Sequence, residues 1–425
     1  MANGSTIKPG FYGWTNVVLL FVIYMAAFGM VYYGFSVIFP MMIKTLEWNR
    51  GTASIAHTIN AILMGLAAPA VAISIQKLGP KKTLMFGFVV LLVGMLLMGT
   101  VMSKMWQWVV LWGIVVSIGF AFGGALALQT ILLFWFNIKR ATAMGIVMTG
   151  AAIGGFVAQP FYSWLMNVTH TWRSGWLCAS VFVLLGLICS LFVINKPQDV
   201  GQHMDGLSPE DIERATREGR PKSKIHKTSQ VWTIKETLRS RTLWIYIVVV
   251  TGHLMALTFI ATHGILNFLD RGFSPTQAPM IFSMVLLGSA IIRFPIGMLG
   301  DKIEPRHIIN ASFGIMMVML FFIWKNQSLA MIMVAGFLFG ACYGTQLIMF
   351  PTLMGNYYGP EVFAGVVGAL SPAFVIFGAV VPVGGGYIFE AAGSYDPAYL
   401  FLVCLLVVAF AFSFFLKPPI KPQAA

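Results

Sequence analysis

Charged side chains are scarce in this chain. Of its 425 residues only 10% are Asp, Glu, Lys or Arg, whereas 58% are hydrophobic. Soluble domains carry roughly a quarter charged residues, so this composition excludes an ordinary water-soluble protein. The few charges separate long apolar runs, and about 20 apolar residues in a helix are enough to cross a hydrocarbon layer ~30 Å thick. We therefore predict an all-α membrane protein with twelve transmembrane helices in two six-helix repeats.

Cysteine and the common motifs of enzymes are also rare or missing. The only cysteines are Cys178, Cys189, Cys342 and Cys404, all inside apolar runs, which argues against a disulfide framework or a Cys/His metal site. There is no Gly-x-x-x-x-Gly-Lys-Ser/Thr loop for phosphate, and no nucleophile is placed beside a base. The chain is predicted to be no enzyme, with no metal and no cofactor.

The apolar runs fall into two sets of six on either side of a polar linker. The boundaries are 1–195 for the N-terminal half, 196–241 for a cytoplasmic linker and 242–425 for the C-terminal half. Two helix starts are predicted in the linker, one at Ser208-Pro209 and one as a capping box from Thr233 to Glu236. The predicted spans are 14–40, 52–76, 82–102, 105–133, 140–168, 174–195, 242–269, 276–300, 305–324, 328–350, 361–389 and 397–416.

Basic residues are unevenly distributed between alternate loops, although the net charge is +13. Twenty of the 27 Lys and Arg lie in one set of loops, which includes both termini, and six lie in the other set. This asymmetry predicts an inner (cytoplasmic) membrane protein with both termini in the cytoplasm. The charge therefore reflects topology in the lipid bilayer, and no nucleic acid partner is predicted. Arg293 alone belongs to neither set.

The two halves repeat each other in sequence. The segment Gln76–Lys82 matches Asp301–His307, and Trp135-Phe136 matches Tyr357-Tyr358. Parallel six-helix repeats are typical of transporters that hold a substrate at the membrane midplane between the halves. Transport then proceeds by alternating access, as one half rocks against the other, and we expect a monomer.

The segment Gly297–Lys302 resembles the Gly-x-x-x-Asp-Arg/Lys loop motif of the major facilitator superfamily. In that family the acidic residue and nearby cations hold the cytoplasmic gate shut. The resemblance therefore implies the major facilitator fold, with Asp301, Lys139 and Arg140 as gate residues. The first-half copy departs from the pattern, because Gln76 occupies the position of the acid.

A closer resemblance is to the monocarboxylate transporter family. The matching motifs are Gly13-Trp14, Trp48–Gly51, Trp135–Gly145, Trp172-Arg173 and the Arg-x-Pro at Arg293–Pro295. These motifs are spread over nearly the whole chain. The chain resembles a bacterial member of this family, which is related to the oxalate–formate antiporters. The resemblance implies a carrier of a small organic monocarboxylate anion, such as lactate or pyruvate, together with a proton.

Arg293 is the basic residue that lies inside an apolar span. A charge there costs about 2.5–3.5 kcal/mol on insertion scales, so its presence needs a reason. No acid lies within two turns on the same helix. A planar guanidinium suits bidentate capture of a carboxylate, and one fixed cation balances a monocarboxylate better than a dicarboxylate. The alternative is a structural bond to helix carbonyls.

Proton coupling needs a titratable group. The family's lysine in the first span is missing, and Ser289 replaces its acid four residues before Arg293. His263 is the best candidate, because imidazole titrates near neutral pH and can also bind a carboxylate. A satisfied core histidine is the alternative, and His253 is expected to be one. The substrate could also accept the proton itself.

Binding cavities are largely apolar with a few polar groups. Tyr343 is favoured as a binding residue, since Gly340 and Gly344 beside it permit close helix approach. For every candidate the competing interpretation is ordinary packing. The other predicted cavity residues are Tyr32, Tyr33, Asn60, Asn267 and Phe374.

Two other functions remain open from the sequence. An organic-anion exchanger with the same fold would depend on a counter-anion instead of pH. A nontransporting membrane sensor would be expected to carry a large soluble domain, and none is evident. Drug or sugar transport predicts acids or many amides at the midplane, which are missing.

Overall fold

The protein is described from a computed structural model covering residues 10–208, 225–274 and 277–421. In this part of the chain eleven helices are long and apolar enough to cross a membrane. They become twelve when Thr52–Leu66 and Ala68–Leu78, which meet at an angle of 46°, count as one broken span. The predicted all-α membrane fold is confirmed.

The chain divides into two compact units. One comprises Met1–Lys222 with Phe363–Pro372, and the other Ser223–Val362 with Ala373–Ala425. The first six spans are α1 (Tyr12–Thr45), α2 (Arg50–Leu66 and Ala68–Leu78), α3 (Pro80–Thr100), α4 (Met105–Trp135), α5 (Arg140–Thr169) and α6 (Arg173–Phe192). The last six are α7 (Arg241–Asp270), α8 (Gln277–Gly300), α9 (Pro305–Lys325), α10 (Leu329–Tyr358), α11 (Pro360–Ala392) and α12 (Asp396–Ser413).

Proline marks the start of several helices. Pro80 and Pro360 are the first residues of α3 and α11, where the missing N–H would have no helical partner in any case. Gly79 and Gly359 precede them with φ of +86°, a backbone conformation that residues with a Cβ rarely adopt. These Gly-Pro pairs explain why the predicted starts of both helices lie within two residues of the observed ones.

Two helices extend five or more residues past their predicted ends, because they continue past an internal proline. The first span was expected to end at Pro40 but extends to Thr45. The tenth was expected to end at Phe350 but continues through Pro351 to Tyr358. A proline removes one helical hydrogen bond, yet neighbouring helices can compensate for this in a membrane-spanning segment.

Small residues allow helices of the first unit to touch along their backbones. A Cβ at Gly29 of α1 would lie 2.5 Å from the Cα of Gly154 in α5. Such contacts gain van der Waals packing, which drives helix association where there is no water to expel. The same two helices carry the predicted cavity residues Tyr32 and Tyr33 and the predicted gate residue Arg140.

The linker is tied to the unit on each side of it. In the first unit the Asp205 carboxylate accepts hydrogen bonds from the backbone N–H groups of Asn137 and Ile138, at 3.0 and 2.9 Å. In the second unit the N–H of His226 donates to Glu304 at 2.7 Å. These charge-assisted bonds are stronger than neutral ones, so the ends of the linker are held against helix termini.

One of the two predicted helix starts in the linker is confirmed. Thr233 and Glu236 form a capping box at the start of the short helix Ile234–Arg239. The Thr233 backbone N–H, together with the nearby Lys421 ammonium, holds the pKa of the Glu236 carboxyl below its usual range. The helix predicted at Ser208-Pro209 lies outside the described residues.

Candidate functional site

Arg293 lies in α8 and is buried, with 7% of its surface exposed. Its Nη2 donates a hydrogen bond to the hydroxyl of Ser289 at 3.2 Å. Ser289 is one turn closer to the helix N-terminus, so the guanidinium points away from Gly300, the nearer end of α8. Helical side chains lean toward the N-terminus in this way. The arginine side chain therefore does not extend toward the nearest end of its helix.

Close packing of α8 against α10 fixes the position of this arginine. A Cβ at Gly344 would lie 2.5 Å from the carbonyl oxygen of Ser289, and one at Gly340 would overlap the carbonyl of Val285. The backbones of the two helices are therefore in direct contact at the turn that bonds Arg293. Because Tyr343 lies between these glycines, the structure brings it to the same contact region.

His253 of α7 also lies in this region. Its ring lies 5.5 Å from the ring of Tyr343 and 5.5 Å from that of Phe350, centroid to centroid. The side chain is 6% exposed, and its Nδ1 has no hydrogen-bond partner among the described residues. The sequence did not distinguish this histidine from a packed core residue. Only its three-dimensional neighbours do so.

His263 occupies a different place on α7, two to three turns away from His253. Its Nε2 lies 2.9 Å from the carbonyl oxygen of Pro382, and its Nδ1 lies 3.1 Å from the hydroxyl of Tyr395. A carbonyl can only accept, so Nε2 carries a proton. Burial, aided by the charge of Asp270, raises the pKa of Tyr395, which therefore remains a hydroxyl and donates to Nδ1. Neutral His263 thus has both nitrogens satisfied.

The other predicted cavity residues of the second unit are less closely grouped. The Asn267 side-chain oxygen accepts from the hydroxyl of Tyr399 at 3.2 Å, one turn beyond His263. Phe374 is partly buried in α11. Among the described contacts, Ser289 bonds Arg293 directly. Tyr343 lies next to Gly344, which packs on Ser289, and the His253 ring packs against Tyr343.

The predicted cavity residues of the first unit form two neighbouring groups. Tyr32 packs edge-on against Tyr33 and Phe120, with ring centroids 5.8 and 5.5 Å apart. Asn60 is fully buried, and its amide donates to the carbonyl oxygen of Trp112 at 2.9 Å. This bond ties α2 to α4, so the structure shows a helix-tying contact for Asn60 and an aromatic cluster for the tyrosines.

The predicted gate residues lie next to helix ends. In the first unit the Nε of Arg140 donates to the carbonyl oxygen of Phe136 at 2.9 Å, and the Lys139 ammonium lies 5.8 Å from the ring centre of Trp14. In the second unit Asp301 follows the end of α8 and is partly exposed. Their role in gating remains a prediction.

Two acidic residues near these loops were not singled out from the sequence. Asp205 and Glu304 are both 8% exposed and accept backbone hydrogen bonds, as described for the linker. Their neighbours are distant along the chain, so no local motif marks them. Within the described residues, no three His, Cys, Asp or Glu side chains gather as a metal site requires.

The described residues form membrane-spanning helices that bury Arg293 and few other charges. These are features of a polytopic membrane carrier. The model of the Major Facilitator Superfamily matches residues 20–269 and 253–425. The chain therefore belongs to the major facilitator superfamily of transporters, as the loop motif at Asp301 indicated.

Individual relatives agree with this assignment. Monocarboxylate transporter 13 of Rattus norvegicus is 24% identical over 420 residues, covering 94% of this chain and 88% of the relative. The E. coli fucose:proton symporter FucP has a similar fold, with a TM-score of 0.71 at 15% identity over 95% of this chain and 98% of its own. The human organic anion transporter MFSD10 gives a TM-score of 0.66 at 12% identity, covering 96% of this chain and all of its own.

Proposed function

We propose that this protein is a secondary active transporter of small monocarboxylates, lactate-like or pyruvate-like, which works by alternating access and proton symport. The observation that carries the proposal is the buried guanidinium of Arg293 within α8. The likeness to a transporter named for monocarboxylates, over nearly the full chain, supports the same substrate class. The fold shared with an organic anion transporter is compatible with it.

Charge balance favours one carboxylate per transport cycle. Arg293 is the basic residue that the sequence places away from every loop, and burial of a cation is costly unless an anion or several hydrogen bonds compensate. Its bond to Ser289 is to a neutral hydroxyl. A carboxylate would add charge-assisted and bidentate hydrogen bonds, which a planar guanidinium is shaped to make. A second carboxylate on the same molecule would need a further cation.

For proton coupling we propose His263. In its neutral form the ring accepts from Tyr395 and donates to the carbonyl of Pro382. Protonation converts Nδ1 into a donor, so the Tyr395 hydroxyl has to turn its own proton elsewhere. The proton would thereby alter a contact between α7 and the residue that precedes α12. The competing possibilities are a proton carried by the substrate and anion exchange without a proton.

We expect His263→Gln to flatten the pH dependence of uptake. In the wild-type protein, uptake should rise as the outside pH falls, because outside protons drive the proposed symport. Glutamine keeps a polar group but cannot titrate, so uptake should vary less than about twofold between pH 5.5 and 7.5. Initial uptake rates across this range provide the measurement.

The matched control for this variant is His307→Gln, since His307 is exposed at the start of α9. Its pH profile should follow that of the wild-type protein. If His263→Gln keeps the wild-type profile as well, His263 does not carry the coupled proton. A profile set by the ionisation of the substrate, and shifting with the substrate used, would point to the substrate as the proton carrier.

The proposed function as a whole is tested with a panel of anions at two pH values. Purified protein should be stabilised against heat by C3 and C4 monocarboxylates but much less by malonate and succinate. In liposomes, an inward proton gradient should drive uptake without any anion inside. Uptake that requires an internal counter-anion would favour exchange instead. Equal stabilisation by dicarboxylates, or none by any carboxylate, would contradict the proposed cargo.

A further inference from the structure

His253 is a buried polar residue for which the proposed function so far has no use. It lies between the rings of Tyr343 and Phe350, and its Nδ1 has no hydrogen-bond partner among the described residues. Buried polar atoms are nearly always hydrogen-bonded, and an unsatisfied one costs about 1–3 kcal/mol. A histidine that served only as packing could be replaced by an apolar residue without this cost.

The other histidine of α7 shows how protein partners can satisfy a buried imidazole. His263 ties its helix to two further segments, through Pro382 and Tyr395, and uses both ring nitrogens to do so. His253 makes no such tie through Nδ1. The two side chains are buried to a similar degree, at 8% and 6% exposure, so burial does not explain the difference. The free hydrogen-bonding capacity of His253 therefore calls for a ligand.

His253 and Ser289, the hydrogen-bond acceptor of Arg293, lie at similar heights along the helices of their unit. A bond between Ser240 and Tyr358 aligns the start of α7 with the end of α10. His253 lies about 20 Å from that level along α7, and Gly344 lies about 21 Å from it along α10. Gly344 packs on Ser289, which bonds Arg293. Measured along the helix axes, the His253 imidazole and the turn of α8 that contains Ser289 thus differ in height by about one helical turn or less.

We infer that His253 binds the transported anion, by a hydrogen bond from or to a polar substituent other than the carboxylate that Arg293 holds. This inference rests on the proposed function. Neutral imidazole can place its proton on either nitrogen, so Nδ1 can accept from a hydroxyl or donate to an oxo group. The aromatic rings of Tyr343 and Phe350 supply an apolar wall beside it. The cargo is therefore a hydroxy- or oxo-monocarboxylate, and unsubstituted acids of the same length are poor substrates.

The test compares acids that differ only in the substituent. Lactate and pyruvate are compared with propanoate, and 3-hydroxybutyrate with butyrate, as kcat/KM for uptake into liposomes. The wild-type protein should prefer the substituted acid of each set by about tenfold or more, since a site built around a hydrogen bond rejects an analogue without the partner. His253→Leu should reduce this preference to about one, mainly by slowing uptake of the substituted acids. His253→Gln, which can still accept and donate, should restore part of it.

Two further variants separate the possible outcomes. Phe350→Leu changes the packing beside the imidazole but leaves its nitrogens, so it should scale the uptake of both acids equally. Arg293→Gln should reduce both acids alike, and if it does not, the proposed function itself fails. A preference that survives His253→Leu, or a wild-type protein without any preference, overturns the inference while leaving Arg293 untouched. If His253→Leu does not fold, the inference is still tested by the ratio of kcat/KM for substituted and unsubstituted acids, compared between His253→Gln and the wild type.

Discussion

Arg293→Gln is expected to reduce kcat/KM for monocarboxylate uptake by about a hundredfold or more. Truncating one partner of a buried, hydrogen-bonded charge pair costs about 2–5 kcal/mol, and here the pair is the guanidinium with the bound carboxylate. Glutamine can still hydrogen-bond Ser289 but carries no charge. The loss should therefore appear in transport and in thermal stabilisation by the anion. The ligand-free protein should remain folded, because the change removes a buried charge, whose desolvation is costly.

Two variants sharpen this experiment. Arg293→Lys keeps the charge but loses the planar fork, so an intermediate loss of about tenfold is expected. Arg239→Gln makes the same chemical change at an exposed position on the short linker helix and should leave uptake within about twofold of the wild type. Uptake that persists in Arg293→Gln, with the protein folded and inserted, would disprove the assignment of the binding site.

Gly340→Ala is expected to destabilise the protein and to impair transport together. A Cβ at this position would overlap the backbone carbonyl of Val285, which cannot move aside as the end of a flexible side chain could. α8 and α10 would have to separate, and overpacking of this kind costs about 1–3 kcal/mol. The separation would also displace Arg293, and a shift of ~1 Å in a binding group can cost about a hundredfold in rate. Thermal unfolding and lactate uptake provide the measurements.

Gly378→Ala supplies the matched control, because among the described residues no atom outside its own stretch of helix lies within 4 Å of a Cβ at that position of α11. Alanine has a higher helix propensity than glycine, so the thermal midpoint should be unchanged or slightly higher. If Gly340→Ala behaves like Gly378→Ala in both assays, the contact between α8 and α10 is not as close as described. The position of Arg293 would then not depend on it.

The two histidines of α7 show how far sequence reasoning reaches into the site. Both are predicted to be buried in the same apolar span, and composition gives no reason to rank them by their partners. The sequence favours His263 for function and His253 for packing. In the structure His263 is fully hydrogen-bonded, whereas the Nδ1 of His253 has no partner among the described residues. Hydrogen-bond satisfaction depends on neighbouring helices, and no local pattern encodes it.

The helix termini likewise show which features of the fold can be predicted from local sequence and which depend on tertiary contacts. The Gly-Pro pairs at Gly79 and Gly359 mark helix starts through their own backbone preferences, so they can be identified locally. Pro351 suggested an end that does not occur, because α10 continues to Tyr358. Whether a proline ends a membrane helix depends on what the adjoining helices can offer the freed carbonyl. That information is tertiary.

The sequence by itself determined that the chain crosses a membrane, the number and approximate limits of the spans, and the superfamily. It also identified Arg293 as the arginine that lies outside the loops. Each of these follows from hydropathy, local backbone preferences or the cost of a charge in hydrocarbon, which act within a single helix. The tertiary structure decided where the guanidinium of Arg293 points and which of the two histidines has hydrogen-bonding capacity to spare. These depend on contacts between α7, α8 and α10, and residues distant along the chain are brought together only when the helices pack.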